Sequence, residues 1–380
     1  MSSTPVIPLE QLVFAHYGKA LKEENRNSRG SHTVYGSSGV VGNHDQALIQ
    51  EATIIVGRKG SVGALTYAPD GGWIIDTAYY IECRNPARLD LRYLFHALKS
   101  LNLAKDTITT SIPGLNRDDL LANSIPLPPL EQQRRVAAIF DKAGGLRDKR
   151  QEVMGLADKF LEANYLKLAS EQKERSTVER LLADLPNAAR TGPFGSQLLV
   201  SEFQEYGIPV LGIDNVVQNQ FSWGARRFIS EEKYRELERY TVRPGDVMIT
   251  IMGTTGRVAI APEDIPTCIS TKHLCALTID KSKMLPEYLW ACLRWDPEVK
   301  AQTQREAKGA IMEGWNMGIV KGLEVRKAPL AQQKRFAEQV RAIRRIQSHA
   351  AQSLDGVHEL ADSLMAQFFN SKEMPALCHH

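Results

Sequence analysis

The chain has 380 residues, 43% of them hydrophobic and 24% charged, and these ordinary globular values exclude wholesale disorder. A formal net charge of +3 is too small to attract nucleic acid through the overall field, so any DNA binding must come from locally arranged charge. No apolar run reaches the roughly 18–20 residues of a membrane span. The scattered cysteines and the absence of a signal-peptide pattern predict a cytoplasmic protein with no membrane partner.

The first predicted element is a globular domain over residues 1–128. Short β-like runs at Val40–Val41, Thr53–Val56 and Trp73–Ile75 are separated by glycine-rich turns, and Leu89–Leu103 has the apolar spacing of a short helix. Many turns and few aromatic residues favour irregular sheets over a doubly wound parallel sheet. We therefore predict an α+β fold of mixed α and β elements.

A long helix is predicted next, over residues 129–177. Proline stands at its start, where the missing N–H costs nothing, and no proline occurs from Glu131 to Ala169. Its apolar residues step by three and four positions, as on one face of a helix. The stripe that we expect to pack contains Val136, Phe140, Ala143, Met154 and Leu161.

The chain then repeats itself. Pro126–Ala137 (PLPPLEQQRRVA) returns as Ala328–Ala337 (APLAQQKRFA), and Ile54–Val62 matches Thr250–Val258, a strand followed by Gly-x-x-Gly. This order predicts a second domain over residues 178–328, a second helix over 329–372 and a tail over 373–380.

The second helix has a cleaner apolar period than the first. Its stripe contains Phe336, Val340, Ile343, Leu354, Leu364 and Phe368. A period of 3.5 residues over four heptads is typical of a coiled coil. Because the helices have similar length and phase, we predict that they pack on each other. The internal repeat requires pseudo-twofold symmetry, so we predict an antiparallel coiled coil that separates the two domains. The alternative is that each helix packs only on its neighbouring domain.

The sequence lacks the common signatures of catalysis. It contains no Gly-x-x-x-x-Gly-Lys-Ser/Thr loop, no Gly-x-Gly-x-x-Gly and no Asn/Asp-Pro-Pro-aromatic tetrapeptide. Cys268, His273 and Cys275 alternate along a predicted strand, so Cys268 points away from the other two and a metal site is not expected. We predict no catalytic residue, no metal ligand and no cofactor in this chain.

Several motifs in register carry a family resemblance. Pro126–Arg134 resembles the conserved helical region of the specificity subunits of Type I restriction-modification systems. Segments of the first domain resemble one class of that family's target recognition domains, and segments of the second resemble another. These segments are Val34–Gly42, Ile54–Gly63 and Asp76–Tyr80 in the first domain, and Gly192–Ser196, Pro244–Val247 and Gly253–Val258 in the second.

The resemblance implies a non-catalytic DNA-specificity subunit of a phage-defence complex. Each recognition domain would read one half of a bipartite double-stranded DNA target. The helices would dock two methyltransferase subunits, which bind S-adenosylmethionine and methylate adenine N6, and through them the restriction/translocase subunits with ATP and Mg²⁺. Ala328–Ala331 departs from the family pattern, which puts one partner contact in doubt. The alternatives are a methylation-only or related defence complex, a coiled-coil adaptor without DNA readout, and an enzyme in its own right.

Glycine-rich turns with small polar and basic side chains suit a DNA groove, because the backbone approaches closely and the side chains reach base edges or phosphates. The candidate contacts in the first domain are Tyr35, Ser37, Ser38, Asn43, His44, Arg58, Lys59 and Ser61. Those in the second are Arg190, Thr191, Phe194, Ser196, Thr254, Thr255, Arg257, Lys272, His273 and Lys308. The alternative is that these are ordinary turns with solvated charges.

Overall fold

The computed structural model describes residues 4–104, 114–309 and 314–370. The chain divides into two compact units, Met1–Gln151 with Ala351–His380, and Glu152–Ala350. Within the described residues, no helix is both long and apolar enough to cross a membrane.

The first unit contains short strands and helices followed by a long helix. In chain order these are β1 (Val6–Pro8), α1 (Leu9–Leu12), β2 (Val13–Tyr17), β3 (His32–Gly36), β4 (Gly39–His44), β5 (Thr53–Gly57), β6 (Leu65–Ala68), β7 (Trp73–Ile74), β8 (Ala78–Cys83), α2 (Leu91–Ser100), α3 (Arg117–Ala122), β9 (Ser124–Pro126) and α4 (Leu130–Ser170), whose last part belongs to the second unit.

Two sheets and a short ladder organise this unit. An antiparallel sheet has the order β2-β8-β5-β6, a second has the order β4-β3-β7 with β3 parallel to β7, and β1 pairs with β9. Strand β5 is buried along its whole length because both of its faces are covered. Ile54 and Val56 join a core with Tyr93 and Leu94 of α2, whereas Ile55 joins a smaller core with Ile74.

The second unit continues in a similar way. Its elements are β10 (Arg175–Thr177), α5 (Val178–Leu181), β11 (Ala189–Thr191), β12 (Ile208–Leu211), β13 (Phe228–Ile229), α6 (Glu231–Leu237), β14 (Val247–Thr250), β15 (Val258–Ile260), β16 (Ile269–Ser270), β17 (Leu274–Leu277), α7 (Pro286–Trp295), α8 (Pro297–Gly309), α9 (Met317–Gly322), β18 (Glu324–Arg326) and α10 (Leu330–Met365), which continues as a π-helical turn, Ala366–Asn370. The last part of α10 belongs to the first unit.

The sheets of the second unit repeat those of the first. Their orders are β11-β17-β14-β15 and β13-β12-β16, with β12 parallel to β16, and β10 pairs with β18. Each strand therefore has a counterpart in the other unit at the equivalent position of the corresponding sheet. The predicted α+β fold with an internal repeat is confirmed.

The register of the repeat differs from the one that the sequence predicted. Val56 lies opposite Leu65 in the first unit, and Ile249 lies opposite Val258 in the second. Gly60 and Gly63 therefore correspond to Gly253 and Gly256, and all four have positive φ, between 74° and 83°. The sequence match of Gly57 with Gly253 was wrong by three residues. Gly57 is glycine for another reason, since a Cβ there would lie 2.1 Å from the Ser61 carbonyl oxygen.

The long helices run antiparallel, as predicted. In the second unit the side-chain amide of Gln347 donates to the Met154 carbonyl at 3.4 Å, and the ring centroids of Tyr165 and Phe336 are 6.2 Å apart. Residue numbers thus rise along α4 as they fall along α10. In the first unit the Phe140 and Phe369 ring centroids are 5.9 Å apart.

The predicted stripe residues pack to different extents. Val136, Phe140, Leu161, Phe336, Val340 and Phe368 are buried, Ala143, Met154, Ile343 and Leu364 are half-buried, and the side chain of Leu354 lies outside the described residues. The same helices also pack on the globular parts: Val136 and Phe140 share a core with Tyr93. Both kinds of helix packing considered from the sequence therefore occur.

A buried glutamine explains the repeated Gln-Gln motif. The amide nitrogen of Gln133 donates to the carbonyls of Arg88 and Pro128, both at 2.8 Å, and its oxygen accepts from the Asp90 N–H at 2.8 Å. Gln333 likewise donates to the Ala328 carbonyl at 2.7 Å and accepts from the Leu285 N–H at 2.8 Å. Each glutamine ties the start of a long helix to the start of a domain helix, because Asp90 and Leu285 are N-cap residues.

We expect Gln333→Leu to lower the free energy of unfolding by roughly 1–3 kcal/mol, because it leaves the buried Leu285 N–H and Ala328 carbonyl without this partner. Urea denaturation followed by circular dichroism measures the loss. The matched control is Gln339→Leu, at an exposed position of the same helix. Equal stability of the two variants would contradict the structural role of Gln333.

Candidate nucleic-acid interface

Four loops of the first unit meet at one end of its sheets. They follow β2, β5, β3 and β7; β2 and β5 both run antiparallel to β8, and β3 runs parallel to β7. The Ser37 N–H donates to Thr77 Oγ1 at 3.3 Å, and the Arg58 N–H donates to the Thr77 carbonyl at 2.9 Å. We call this set the first loop surface: Gly18–Lys19, Ser37–Ser38, Lys59–Ser61 and Asp76–Thr77.

The equivalent loops of the second unit also meet. We call them the second loop surface: Gly192–Ser196, Ile213–Asp214, Gly253–Thr255 and Thr271–His273. Three of them border a cavity of about 390 Å³ whose lining includes Pro193, Asp214, Arg227, Lys272 and His273. The fourth, Gly253–Thr255, meets the Ile213 loop, since a Cβ on Gly253 would lie 3.0 Å from Ile213 Cδ1. The sequence motifs, far apart along the chain, are thus brought to one place in each unit.

In each unit, one glycine permits the loop after the first strand to approach the backbone of a neighbouring loop closely. A Cβ on Gly192 would lie 2.0 Å from the Ser270 carbonyl oxygen, and a Cβ on Gly18 would lie 2.2 Å from the Ile75 carbonyl oxygen. Both positions directly follow the first strand of the four-stranded sheet. Gly192 belongs to the sequence motif Gly192–Ser196, whereas no motif marks its counterpart Gly18, because Tyr-Gly-Lys and Thr-Gly-Pro have only the glycine in common.

The first unit displays several of its candidate residues on the first loop surface. Ser38, Lys59 and Ser61 are exposed, and Ser37 is half-buried. Arg58 is half-buried, and its guanidinium is engaged within the protein. It donates to the Asp76 carbonyl at 3.1 Å and lies 5.0 Å from the centroid of the Tyr17 ring.

Two candidate DNA contacts prove to be core residues. Tyr35 is buried in the small core with Ile55 and Ile74, because it faces inward from β3. Arg190 is 3% exposed and forms an ion pair with Asp246. It also donates to the Thr241 carbonyl at 2.6 Å and to Thr278 Oγ1 at 3.0 Å. Neither side chain offers a free surface to DNA in this structure, so the packing does not support them as DNA contacts, and that role stays a prediction.

Asn43 and His44 lie away from the first loop surface. They pair with Thr33 and His32 at the opposite end of the β3–β4 hairpin from Ser37–Ser38. Asn43 donates to the Ser28 carbonyl at 3.2 Å, and the His44 ring contacts Trp73 edge-on at 5.3 Å between centroids. The structure does not group these two side chains with the other candidates.

In the second unit, Phe194, Ser196, Thr254, Arg257 and Lys272 are exposed, Thr191, Thr255 and His273 are half-buried, and the side chain of Lys308 lies outside the described residues. Burial lowers the pKa of His273 below its usual value, and Lys272 and Arg227 lower it further. Its imidazole is therefore neutral at pH 7, so that one ring nitrogen donates and the other accepts a hydrogen bond.

Sequence reasoning missed Lys19, Asp214 and Arg227. Lys19 is an exposed cation that follows Gly18, and Asp214 pairs with Arg227 beside the cavity. No sequence motif marked them, because the loop that brings Arg227 to the cavity begins far from the glycine-rich turns along the chain.

Chemically, both loop surfaces combine hydroxyl groups, cations and close backbone approach. Such groups bind phosphate oxygens and the polar edges of bases. Among the described residues, no group of three or more His, Cys, Asp or Glu side chains is arranged to hold a metal ion.

Comparisons with known proteins agree with this architecture. Residues 4–152 match the family model of the type I restriction modification DNA specificity domain. The chain is 23% identical over 316 residues to the type I restriction enzyme MjaVIII specificity subunit of Methanocaldococcus jannaschii, covering 78% of this chain and 73% of that protein. It is 21% identical over 350 residues to the EcoBI specificity subunit of Escherichia coli, covering 84% and 73%.

A solved structure shares the fold over nearly the whole length. The crystal structure of the type I restriction-modification S subunit from M. genitalium superposes with a TM-score of 0.69 at 16% identity, covering 98% of this chain and 96% of that one. The resemblance predicted from the sequence is confirmed: residues 4–152 match the model of the type I restriction modification DNA specificity domain, and the chain shares its fold with this solved S subunit.

Proposed function

We propose that the chain is the DNA-sequence-recognising, non-catalytic subunit of a type I restriction-modification complex in the cytoplasm. One observation carries the proposal: each unit brings the same four loops to one end of the same sheets, although the loop sequences differ. A repeated scaffold with different loops suits a double-stranded target of two unlike halves, each read by one unit.

We further propose that the long helices dock two methyltransferase subunits. Within the second unit, Val153, Leu156 and Phe160 of α4 are 47%, 56% and 52% exposed. Their spacing places them on one helix face, and exposed apolar side chains grouped in this way typify protein contact sites. S-adenosylmethionine would be held by these partners, and ATP and Mg²⁺ by restriction subunits bound through them.

Methylome sequencing of cells carrying the chain and its methyltransferase partner tests the proposal. We expect methylated adenines in two short half-sites separated by a constant gap, and loss of that pattern on deletion of the chain. An unchanged methylation pattern after deletion would overturn the proposal. So would methyl transfer from labelled S-adenosylmethionine to DNA by the purified chain alone, since the chain would then be an enzyme.

Arg257→Ala tests the second loop surface. Arg257 is exposed beside the Gly253–Gly256 turn, and its counterpart in the corrected repeat is Ala64, not Ser61. If Arg257 contacts a phosphate, its loss weakens binding to all sequences and lowers the salt slope of log K by about one. Fluorescence anisotropy at several salt concentrations measures this.

The control for Arg257→Ala is Arg180→Ala. Arg180 is also exposed but lies at the other end of the sheet, where Leu182 pairs with Ile279. Equal salt slopes for the two variants would show that Arg257 makes no phosphate contact.

A further inference from the structure

A half-buried ion pair, Asp214 with Arg227, lines the cavity of the second loop surface. Asp214 follows β12, and its Oδ1 accepts from the Nη2 of Arg227. Its other oxygen, Oδ2, accepts from the Ala225 N–H at 2.9 Å. The two side chains are 35% and 34% exposed, so the pair is anchored on one side and open on the other.

The backbone leaves room for this pair. A Cβ on Gly212 would lie 2.5 Å from Arg227 Nη2, and a Cβ on Gly224 would lie 2.2 Å from Asp214 Oδ2. Gly212 has a φ of −121°, which any residue adopts, so space and not backbone conformation requires glycine there. The loops are thus shaped around a fixed guanidinium.

The guanidinium retains unused donors. Asp214 engages one hydrogen of Nη2, and no acceptor among the described residues engages Nη1, so the two terminal nitrogens keep donors for a ligand. Nε is buried without a hydrogen-bond partner and is not open to the cavity. Arg227 lines the cavity together with Lys272 and His273, and it lies close enough to His273 to lower the pKa of that imidazole. An anchored arginine with free donors loses little side-chain entropy when it binds a planar acceptor.

The neighbouring carboxylate decides which acceptor fits. A phosphate would be repelled by Asp214, whose negative charge offsets that of Arg227. A neutral base edge is not repelled, and guanine presents two acceptors, O6 and N7, that match the arginine fork.

We propose that Arg227, oriented by Asp214, is a specificity-determining residue that donates two hydrogen bonds to a guanine in the half-site read by the second unit. This inference rests on the proposed DNA recognition. In the first unit, Ser37–Ser38 occupies the place of Ile213–Asp214, since Ile75 N–H donates to the Tyr35 carbonyl as Thr271 N–H donates to that of Leu211. The first unit therefore lacks this carboxylate, and the two half-sites differ.

The test uses the full chain with its methyltransferase partner and a randomised DNA library. For the wild type we expect an enriched motif containing a guanine in one half-site. In Arg227→Ala we expect the preference for that guanine to fall roughly tenfold to a hundredfold, with the other half-site and the salt slope unchanged. Arg226→Ala, an exposed neighbour, is the matched control and should keep the motif.

Arg227→Lys separates charge from hydrogen-bond geometry. Lysine keeps the positive charge but not the planar fork that binds Asp214 and a base together, so we expect the guanine preference to fall, though less than in Arg227→Ala; full retention of the preference would overturn the inference. This variant also decides the matter if Arg227→Ala does not fold. A salt slope lowered by about one in Arg227→Ala, with the motif intact, would identify a phosphate contact instead.

The experiment distinguishes a failure of the proposed DNA recognition from a failure of the role proposed for Arg227. If the wild-type complex enriches no sequence, DNA recognition itself is wrong. If it enriches a motif that Arg227→Ala leaves unchanged, only the role of Arg227 is wrong. A lower thermal unfolding midpoint with an intact motif would show that the ion pair merely holds the loops.

Discussion

Inserting one heptad into each long helix is expected to widen the gap between the two DNA half-sites while leaving the half-sites themselves unchanged. The matched insertion points follow Met154 and Gln347, which face each other in the antiparallel pair. Seven residues keep the apolar seam in phase and add about 10 Å at 1.5 Å per residue. Because one base-pair step is about 3.4 Å, the gap should grow by roughly one to three base pairs.

Methylome sequencing of cells carrying the lengthened chain measures the gap directly. The control inserts five residues at the same two points, which lengthens the helices but turns the apolar seam by about 140° at 3.6 residues per turn; it should abolish methylation. An active heptad variant with an unchanged gap would show that the helices do not set the spacing.

Arg190→Leu should destabilise the second unit by about 3–5 kcal/mol, because it leaves the Asp246 carboxylate buried without its opposite charge. The Asp246 side chain is 0% exposed and also accepts from Thr278 Oγ1 at 2.6 Å and the Arg243 N–H at 2.7 Å. Urea unfolding followed by tryptophan fluorescence reports this loss, since Trp223, Trp290, Trp295 and Trp315 all belong to the second unit.

The double variant Arg190→Met/Asp246→Leu tests whether the loss of stability in Arg190→Leu comes from the unpaired Asp246 carboxylate. We expect it to regain part of the lost stability, because no unpaired charge remains buried. Recovery should be incomplete, since Thr278 and Arg243 then lose their acceptor. Unchanged stability in Arg190→Leu, together with weaker DNA binding, would support the prediction that Arg190 contacts DNA.

The apolar periodicity and the internal repeat of the sequence predicted most of the fold. The apolar stripes of α4 and α10 predicted two long paired helices, because a helix face is read directly from residue spacing. The repeated Pro-Leu and Gln-Gln motif predicted two similar halves. It also contained Gln133 and Gln333, whose structural role became visible only when their partners Asp90 and Leu285 were located.

The register of the repeat and the membership of the loop surfaces were decided by tertiary structure. Strand pairing alone identified Gly60, and not Gly57, as the counterpart of Gly253, since local sequence similarity does not record which residues lie opposite each other.

The amino-acid sequence by itself predicted the order of the globular segments and helices, and it showed that both halves carry a strand followed by a glycine turn, although not the register of those turns. It did not determine which charges face solvent. Arg190 and Arg227 are both arginines near glycine-rich loops, yet one is buried against Asp246 and the other is held by Asp214 at an open cavity. That difference depends on partners distant in sequence, and only the packing of the sheets brings such partners together.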